Sequence, residues 1–336
     1  MPPRLRGEIS VIQFGTFAPQ GWRLELREVR GAAAQWAAMR SAAVALERLG
    51  YDSLWLYDHF HTTPRPEIEP TFECWSAMAA LAEATSTIRL GQMVTCAQYR
   101  NPAYLAKVAS CVDVISGGRV DVGLGAGWKQ DEFDAYGYDF GGIRGRLDRM
   151  ADTARILKVM WTEERATVSG RHWSVRDAIN EPKPLQQPHP PLWIGAAGEK
   201  VAMRMVAELA DGWNYNRGPD GFEAKLEILH GHCRAIGRDP RTLRVSVERH
   251  CAIFHSPTER ESYLNRWWPN ANRERLDAFL AGGCIGSAAE VTAQLRYFIE
   301  RGAELIILWF QDLATVGSGD SMAERFIARV APTLRR

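Results

Sequence analysis

The stretch from Leu90 to Trp128, LGQMVTCAQYRNPAYLAKVASCVDVISGGRVDVGLGAGW, constrains the fold more than any other part of the chain. A strand pattern passes through a bent connection into a helix, turns at Gly117 and Gly118, and re-enters a strand that ends in the alternating glycines Gly123, Gly125 and Gly127. This is one βαβ unit, with small residues at the carboxyl end of each strand. Parallel sheets built from such units gather ligands at those carboxyl ends, so the glycines mark the mouth of a site as well as a packing contact.

The same rhythm runs through the chain. Apolar runs rich in Val, Ile, Leu and aromatics begin at Val11 to Pro19 and Ser53 to Phe60, and each is followed by a helical pattern. They continue as IRLGQMVTC, RVDVGLGAG, PLWIGAAG, DGWNYN, TLRVSVERHCAIF and ELIILWFQ. Eight strands alternating with helices predict an α/β fold closed as a parallel (β/α)8 TIM barrel. Between the fourth and fifth strands a helix ending near Trp161 leads into ATVSGRHWSVRDAINEPKPLQQPHPP, where Ser169 and Gly170 signal a hairpin and the prolines an extended return. We read this stretch as an insertion on the barrel. The competing open, doubly wound sheet lacks its glycine fingerprint, because GLGAG at Gly123 to Gly127 follows the fourth strand and not the first.

One barrel of about 250 residues with insertions accounts for the length. A net charge of +1, with acidic and basic residues interspersed, provides no electrostatic footprint for nucleic acid or an anionic membrane surface, so a small-molecule partner is expected. The six cysteines show no C-x-x-C spacing and mostly sit in apolar patterns, as buried reduced thiols do. The segment MPPRLRGEIS lacks an apolar signal core, and no apolar run approaches the roughly 18 residues of a membrane span; a cytoplasmic location is expected.

Four segments carry candidate chemistry. In DHFH, Asp58 to His61, a carboxylate adjoins two imidazoles where the second strand reaches the mouth, which suits proton transfer by His59; the alternative is a capping Asp58 and a satisfied core histidine. No further ligands at metal-binding spacing are evident, so no metal is expected. In WIGAAGEK, small residues lead into the helical pattern VAMRMVAELA with Lys200 in its first turn, an arrangement that suits either a phosphate or close helix packing. GQMVTC could bring backbone against a flat ring through a bulge, or could be an ordinary buried strand. Trp128, one of twelve tryptophans, directly follows the fourth-strand glycines and could floor a substrate pocket or cover the rim.

Taken in order, DHF, LGQMVTC with YRNP, DVISGGRVDVGLGAGW, EPKP, PPLWIGAAG, ADGWN and GSAAEV resemble the bacterial luciferase-like monooxygenase superfamily, and within it the coenzyme F420-dependent oxidoreductases, from Phe14 to about Leu334. The resemblance implies a single luciferase-like barrel domain over residues 8–336, with an insertion at about 162–190 and an amino-terminal extension of residues 1–7. It also implies a homodimer. Coenzyme F420, a 5-deazaflavin, would lie in the mouth over a non-prolyl cis peptide, which carries over to Met93 and Val94, with Thr95 beside the ring. Asp58 would contact the ring, Ala126 and Gly127 would line it, and Asp131 matches a contacting amide side chain; Ala197, Gly198 and Lys200 match the phosphate segment, and His59 the acid or base.

Two departures narrow the substrate. Sugar-phosphate enzymes of this branch carry a glutamate where this chain has Trp128, and a lysine beyond the sixth strand where this chain reads NRGPDG from Asn216. The expectation is therefore hydride transfer between F420 and a small neutral organic substrate. The alternative is an FMN-dependent two-component monooxygenase, fed by a separate reductase.

Overall fold

The computed structural model describes residues 11–269 and 272–335. Its strands are β1 (Gln13–Phe17), β2 (Ser53–Leu56), β3 (Arg89–Gln92), β4 (Thr95–Cys96), β5 (Val120–Gly125) and β6 (Ala166–Ser169). They continue as β7 (Ser174–Ala178), β8 (Leu192–Gly195), β9 (Gly212–Tyr215), β10 (Arg244–Ile253), β11 (Cys284–Gly286) and β12 (Leu305–Trp309). β1 pairs with β2 and β2 with β3, and both β3 and β4 pair with β5. The ring continues through β8, β9, β10 and β12 and returns to β1, parallel throughout. This is the expected closed (β/α)8 barrel. Strands such as Ser53–Leu56 and Leu305–Trp309 are buried along their whole length, as parallel strands covered by helices outside and packed side chains inside must be.

Local signals set the βαβ unit. The Asn101 side chain accepts hydrogen bonds from the amides of Ala103 and Tyr104 and starts the helix Pro102–Ser116, with proline in its first turn. Gly117, at φ 71°, ends it in the left-handed region that glycine adopts freely, and the chain drops into β5.

The third apolar run is not one strand. It divides into β3 and β4, with Met93 and Val94 between them joined by a cis peptide bond. The neighbouring β5 accommodates the break because a Cβ at Gly123 would lie 1.9 Å from the Gln92 carbonyl oxygen, and one at Gly125 would lie 2.4 Å from Val94 Cγ2.

Between β5 and β8 the helix Ile143–Thr162 leads into the antiparallel hairpin β6–β7, closed where the Gly170 amide donates to the Trp173 carbonyl. The short β11 was not anticipated; it pairs with the far end of β10 and extends that strand past the barrel rim. Residues 1–7, read as an extension, lie outside the described residues, as do 8–10 and 336. All six cysteines are free, and five of them are buried. Among the described residues no helix is long and apolar enough to cross a membrane.

Candidate active site

A cavity of about 370 Å³ opens at the carboxyl ends of the strands. Asp58, His59, Met93 and Val94 line it, and so do Ala126, Gly127, Trp128 and Ala197. Four residues singled out in the sequence do not line it: Thr95, Asp131, Gly198 and Lys200.

His59 is held on two sides. Its ring stacks on Trp22 with centroids 4.1 Å apart and planes 2° from parallel. Its Nδ1 lies 2.7 Å from Glu132 Oε2, a distance that calls for a proton between them. Glu132 has no exposed surface, and it also accepts the Phe60 amide at 3.0 Å, the His61 amide at 3.4 Å and the Tyr99 hydroxyl at 3.1 Å. Burial pushes the Glu132 carboxyl up, but the bonds from His59 and the two amides outweigh it and hold the group below the usual carboxylate range. Glu132 is therefore a carboxylate at neutral pH. It fixes the tautomer and plane of His59 and leaves Nε2 for whatever occupies the cavity. The sequence reading passed over Glu132 and chose the adjacent Asp131. That residue is about half exposed and pairs with Lys129 at 2.5 Å, because the first turn of the helix Gln130–Tyr136 directs only the next carboxylate inward.

Asp58 is buried at the cavity wall, yet its oxygens face the protein. Arg100 grips them bidentately at 2.7 and 2.9 Å, the Cys96 amide donates at 2.8 Å, and the Cys74 thiol lies 3.3 Å away. Asp58 thus ties the end of β2 to β4 instead of capping the turn that follows it. Asp58, Glu73 and Cys74 bring three ligand atoms within 4.8 Å of one another. Arg100 already supplies the positive charge there, with Nη2 donating to Glu73 at 2.6 Å and to Asp58.

One side of the cavity is backbone and small side chains from Met93–Val94, Gly125–Gly127 and Gly195–Ala197. A Cβ at Gly127 would lie 2.7 Å from Phe133 Cζ and 2.9 Å from Cys96 Sγ, and its φ is 74°, so this position takes only glycine. Thr95 is fully buried behind this side of the cavity, and its hydroxyl has no partner among the described residues. Trp128 is 65% exposed and meets His59 edge to face at 5.9 Å, which makes it a rim residue and not a floor.

The phosphate-type segment differs from its sequence reading. The helix is Ala202–Leu209, and Lys200 stands exposed in the turn before it instead of in its first turn. The Met203 amide reaches back to the Gly198 carbonyl at 3.0 Å, so this turn is wider than an α-helical one.

Sequence reasoning also missed the charged end of the cavity, where Arg23 and Glu248 lie 4.0 Å apart. Arg23 sits over the rings of Trp22 at 4.5 Å and Trp309 at 4.1 Å. Beyond it, Trp267 is buried in the core and its neighbour Trp268 packs edge-on against His250. The strand pattern of TLRVSVERHCAIF held the only signal, a run of polar residues in an otherwise buried strand.

Comparison with known proteins bears on this geometry. The family model described as luciferase-like monooxygenase matches residues 12–335. An F420-dependent glucose-6-phosphate dehydrogenase of Kineococcus radiotolerans is 29% identical over 234 residues, which is 68% of this chain and 67% of that one. An F420-dependent secondary alcohol dehydrogenase, solved with an F420–acetone adduct, superimposes with a TM-score of 0.78 at 19% identity, covering 97% of this chain and 99% of that one. The oxygenating constituent of 3,6-diketocamphane monooxygenase from Pseudomonas putida, solved with FMN, superimposes with a TM-score of 0.72 at 18% identity over 96% and 98% of the two chains. At these identities the two structures speak for the fold.

Proposed function

Because the chain belongs to the luciferase-like monooxygenase family, we propose that it is an oxidoreductase dependent on coenzyme F420 that reduces or oxidises a small organic substrate at the barrel mouth. The observation that carries this reading is a cavity lined both by glycine and alanine at the strand ends and by a histidine whose Nδ1 is locked onto a buried carboxylate. Such a lining fits a planar ring. Met93, Val94, Ala126, Gly127 and Ala197 would hold its face, with Thr95 behind them. Gly198 and Lys200, on the exposed turn, would meet the phosphate.

When bound, coenzyme F420 supplies a hydride carrier at carbon 5 of its deazaflavin ring. The protein's own part is proton management and orientation. His59 Nε2 would give a proton to, or take one from, the substrate atom next to the carbon that changes oxidation state. Glu132 stabilises the imidazolium whenever Nε2 is protonated. Trp22 holds the ring plane, and Trp128 at the rim narrows the path for water. Asp58 acts through Arg100 and the Cys96 amide by holding the wall in position.

Fluorescence titration of the purified protein with oxidised F420 and, separately, with FMN tests the reading. Binding of F420 at micromolar concentration or below, with negligible FMN binding, is the expected result. The reverse preference replaces it with the two-component monooxygenase, which requires a reductase partner.

A further inference from the structure

A second cavity, of about 250 Å³, adjoins the first and shares Arg23, Asn216 and Glu248 with it. Its walls come from the middle of β10 (Glu248, Arg249, His250), from Trp309 and Phe279, and from Gly282–Gly283. Arg249 is 4% exposed and forms no ion pair among the described residues. Its Nη1 donates to the carbonyl of Arg217, in the loop that lines this cavity between Asn216 and Gly218. Its Nε and Nη2 have no hydrogen-bond partner among the described residues. Nη2 lies 3.9 Å from where a Cβ at Gly282 would stand, and the guanidinium carbon lies 5.5 Å from the centre of the Phe298 ring.

His250 is equally buried, is stacked on Trp309 at 3.8 Å, and has neither ring nitrogen bonded among the described residues. Burial, and then the nearby Arg23 and Arg249, push His250 well below the usual imidazole range, so it is a neutral aromatic surface at pH 7. The Cys284 thiol beside Arg249 supplies no counter-charge, because burial pushes it up to about 11. Two guanidiniums therefore face one carboxyl, Glu248. A buried cation with idle donors is costly to maintain, and an anion arriving there recovers those bonds.

We propose that this second cavity anchors the substrate, and that it binds a carboxylate through Arg249. Calling the ligand the substrate rests on the oxidoreductase reading above. The idle pair decides the group: Nε and Nη2 form the side-on edge of the guanidinium, whose two parallel N–H bonds match the two oxygens of a carboxylate. Glu248, close by, disfavours a doubly charged phosphate. Phe279, Trp309 and neutral His250 offer flat apolar surface to the body of the molecule. The shared wall at Arg23 and Asn216 lets that body extend toward His59. The substrate class is thus an unsaturated or carbonyl-bearing monocarboxylate, which departs from the neutral compound expected from sequence.

Calorimetric titration of the whole protein with sodium cinnamate, benzoate and hexanoate, each against its methyl ester, tests this. At least one acid should bind ten or more times more tightly than its ester, and Arg249→Met should weaken that acid at least tenfold while F420 affinity stays within twofold. Equal binding of all three acids and their esters overturns the subsite, and this comparison needs no variant. Unchanged acid binding by a folded Arg249→Met overturns it as well. Acid preference without F420 binding would retain the subsite and remove the cofactor reading; F420 binding without acid preference would do the opposite.

Discussion

Two clusters of buried charge sit at the barrel mouth. Around Glu132, His59, the amides of Phe60 and His61 and the Tyr99 hydroxyl all converge on one carboxylate. Around Arg249, one donor reaches a backbone carbonyl and two are left without a partner, while Glu248 pairs at 4.0 Å with Arg23 and not with Arg249. The first cluster is complete without a ligand and the second is not. A satisfied cluster positions a catalytic group, because its geometry is over-determined. An unsatisfied cluster keeps its bonding capacity for a molecule that has yet to arrive.

Truncation of Glu132 is the severest way to break this contrast. Glu132→Ala should lower unfolding free energy by about 3–5 kcal/mol, since it strands several buried donors at once. Urea denaturation measures this, and a loss under about 1 kcal/mol would mean that the cluster is not load-sharing. His59→Ala should leave F420 affinity within a few-fold while cutting turnover by roughly 10²–10⁴, the usual range for losing a positioned acid or base. Intact turnover would remove His59 from the chemistry.

Arg249→Met sharpens the comparison from the other side. Replacing an under-satisfied buried cation with an apolar side chain of similar length should leave stability unchanged or raise it by about 1–2 kcal/mol, opposite in sign to Glu132→Ala. A marked destabilisation in the same urea experiment would show that Arg249 is structural.

The smallest effect is in pH. The Glu132 pKa is lowered in the folded state, so its contribution is full above the ordinary value of 4.5 and is lost as pH falls through the folded value. Burial raises Glu248, with Arg23 and Arg249 only partly offsetting it, so stability declines as pH rises from 4.5 through its folded value. Melting curves should therefore lose acid sensitivity below pH 4.5 in Glu132→Gln and lose the opposing drift above pH 4.5 in Glu248→Gln.

Much of the fold was legible in advance. The eight runs became the barrel, and Ser169–Gly170 marked the hairpin, because periodicity and turn chemistry act over a few residues. The break between Gln92 and Thr95 entered through family resemblance, since nothing in QMVT by itself dictates it. Among the candidate side chains, His59 and Asp58 reach the mouth because they follow β2, which any reading of strand ends predicts. Glu132 was missed because helix phase, and not composition, decides which of Asp131 and Glu132 points inward. Lys200 was misplaced by the width of one turn.

The sequence by itself determined the alternation of strand and helix, the position of the mouth and the small residues that line it, all of which depend on near neighbours in the chain. Only the tertiary structure decided which charges meet. His59 finds its carboxylate 73 residues away, Asp58 its guanidinium 42 away, and Arg249 a backbone carbonyl 32 away with two donors to spare. Such pairings depend on barrel closure bringing strand ends and loops together, and no local pattern records which donors closure will leave unmatched.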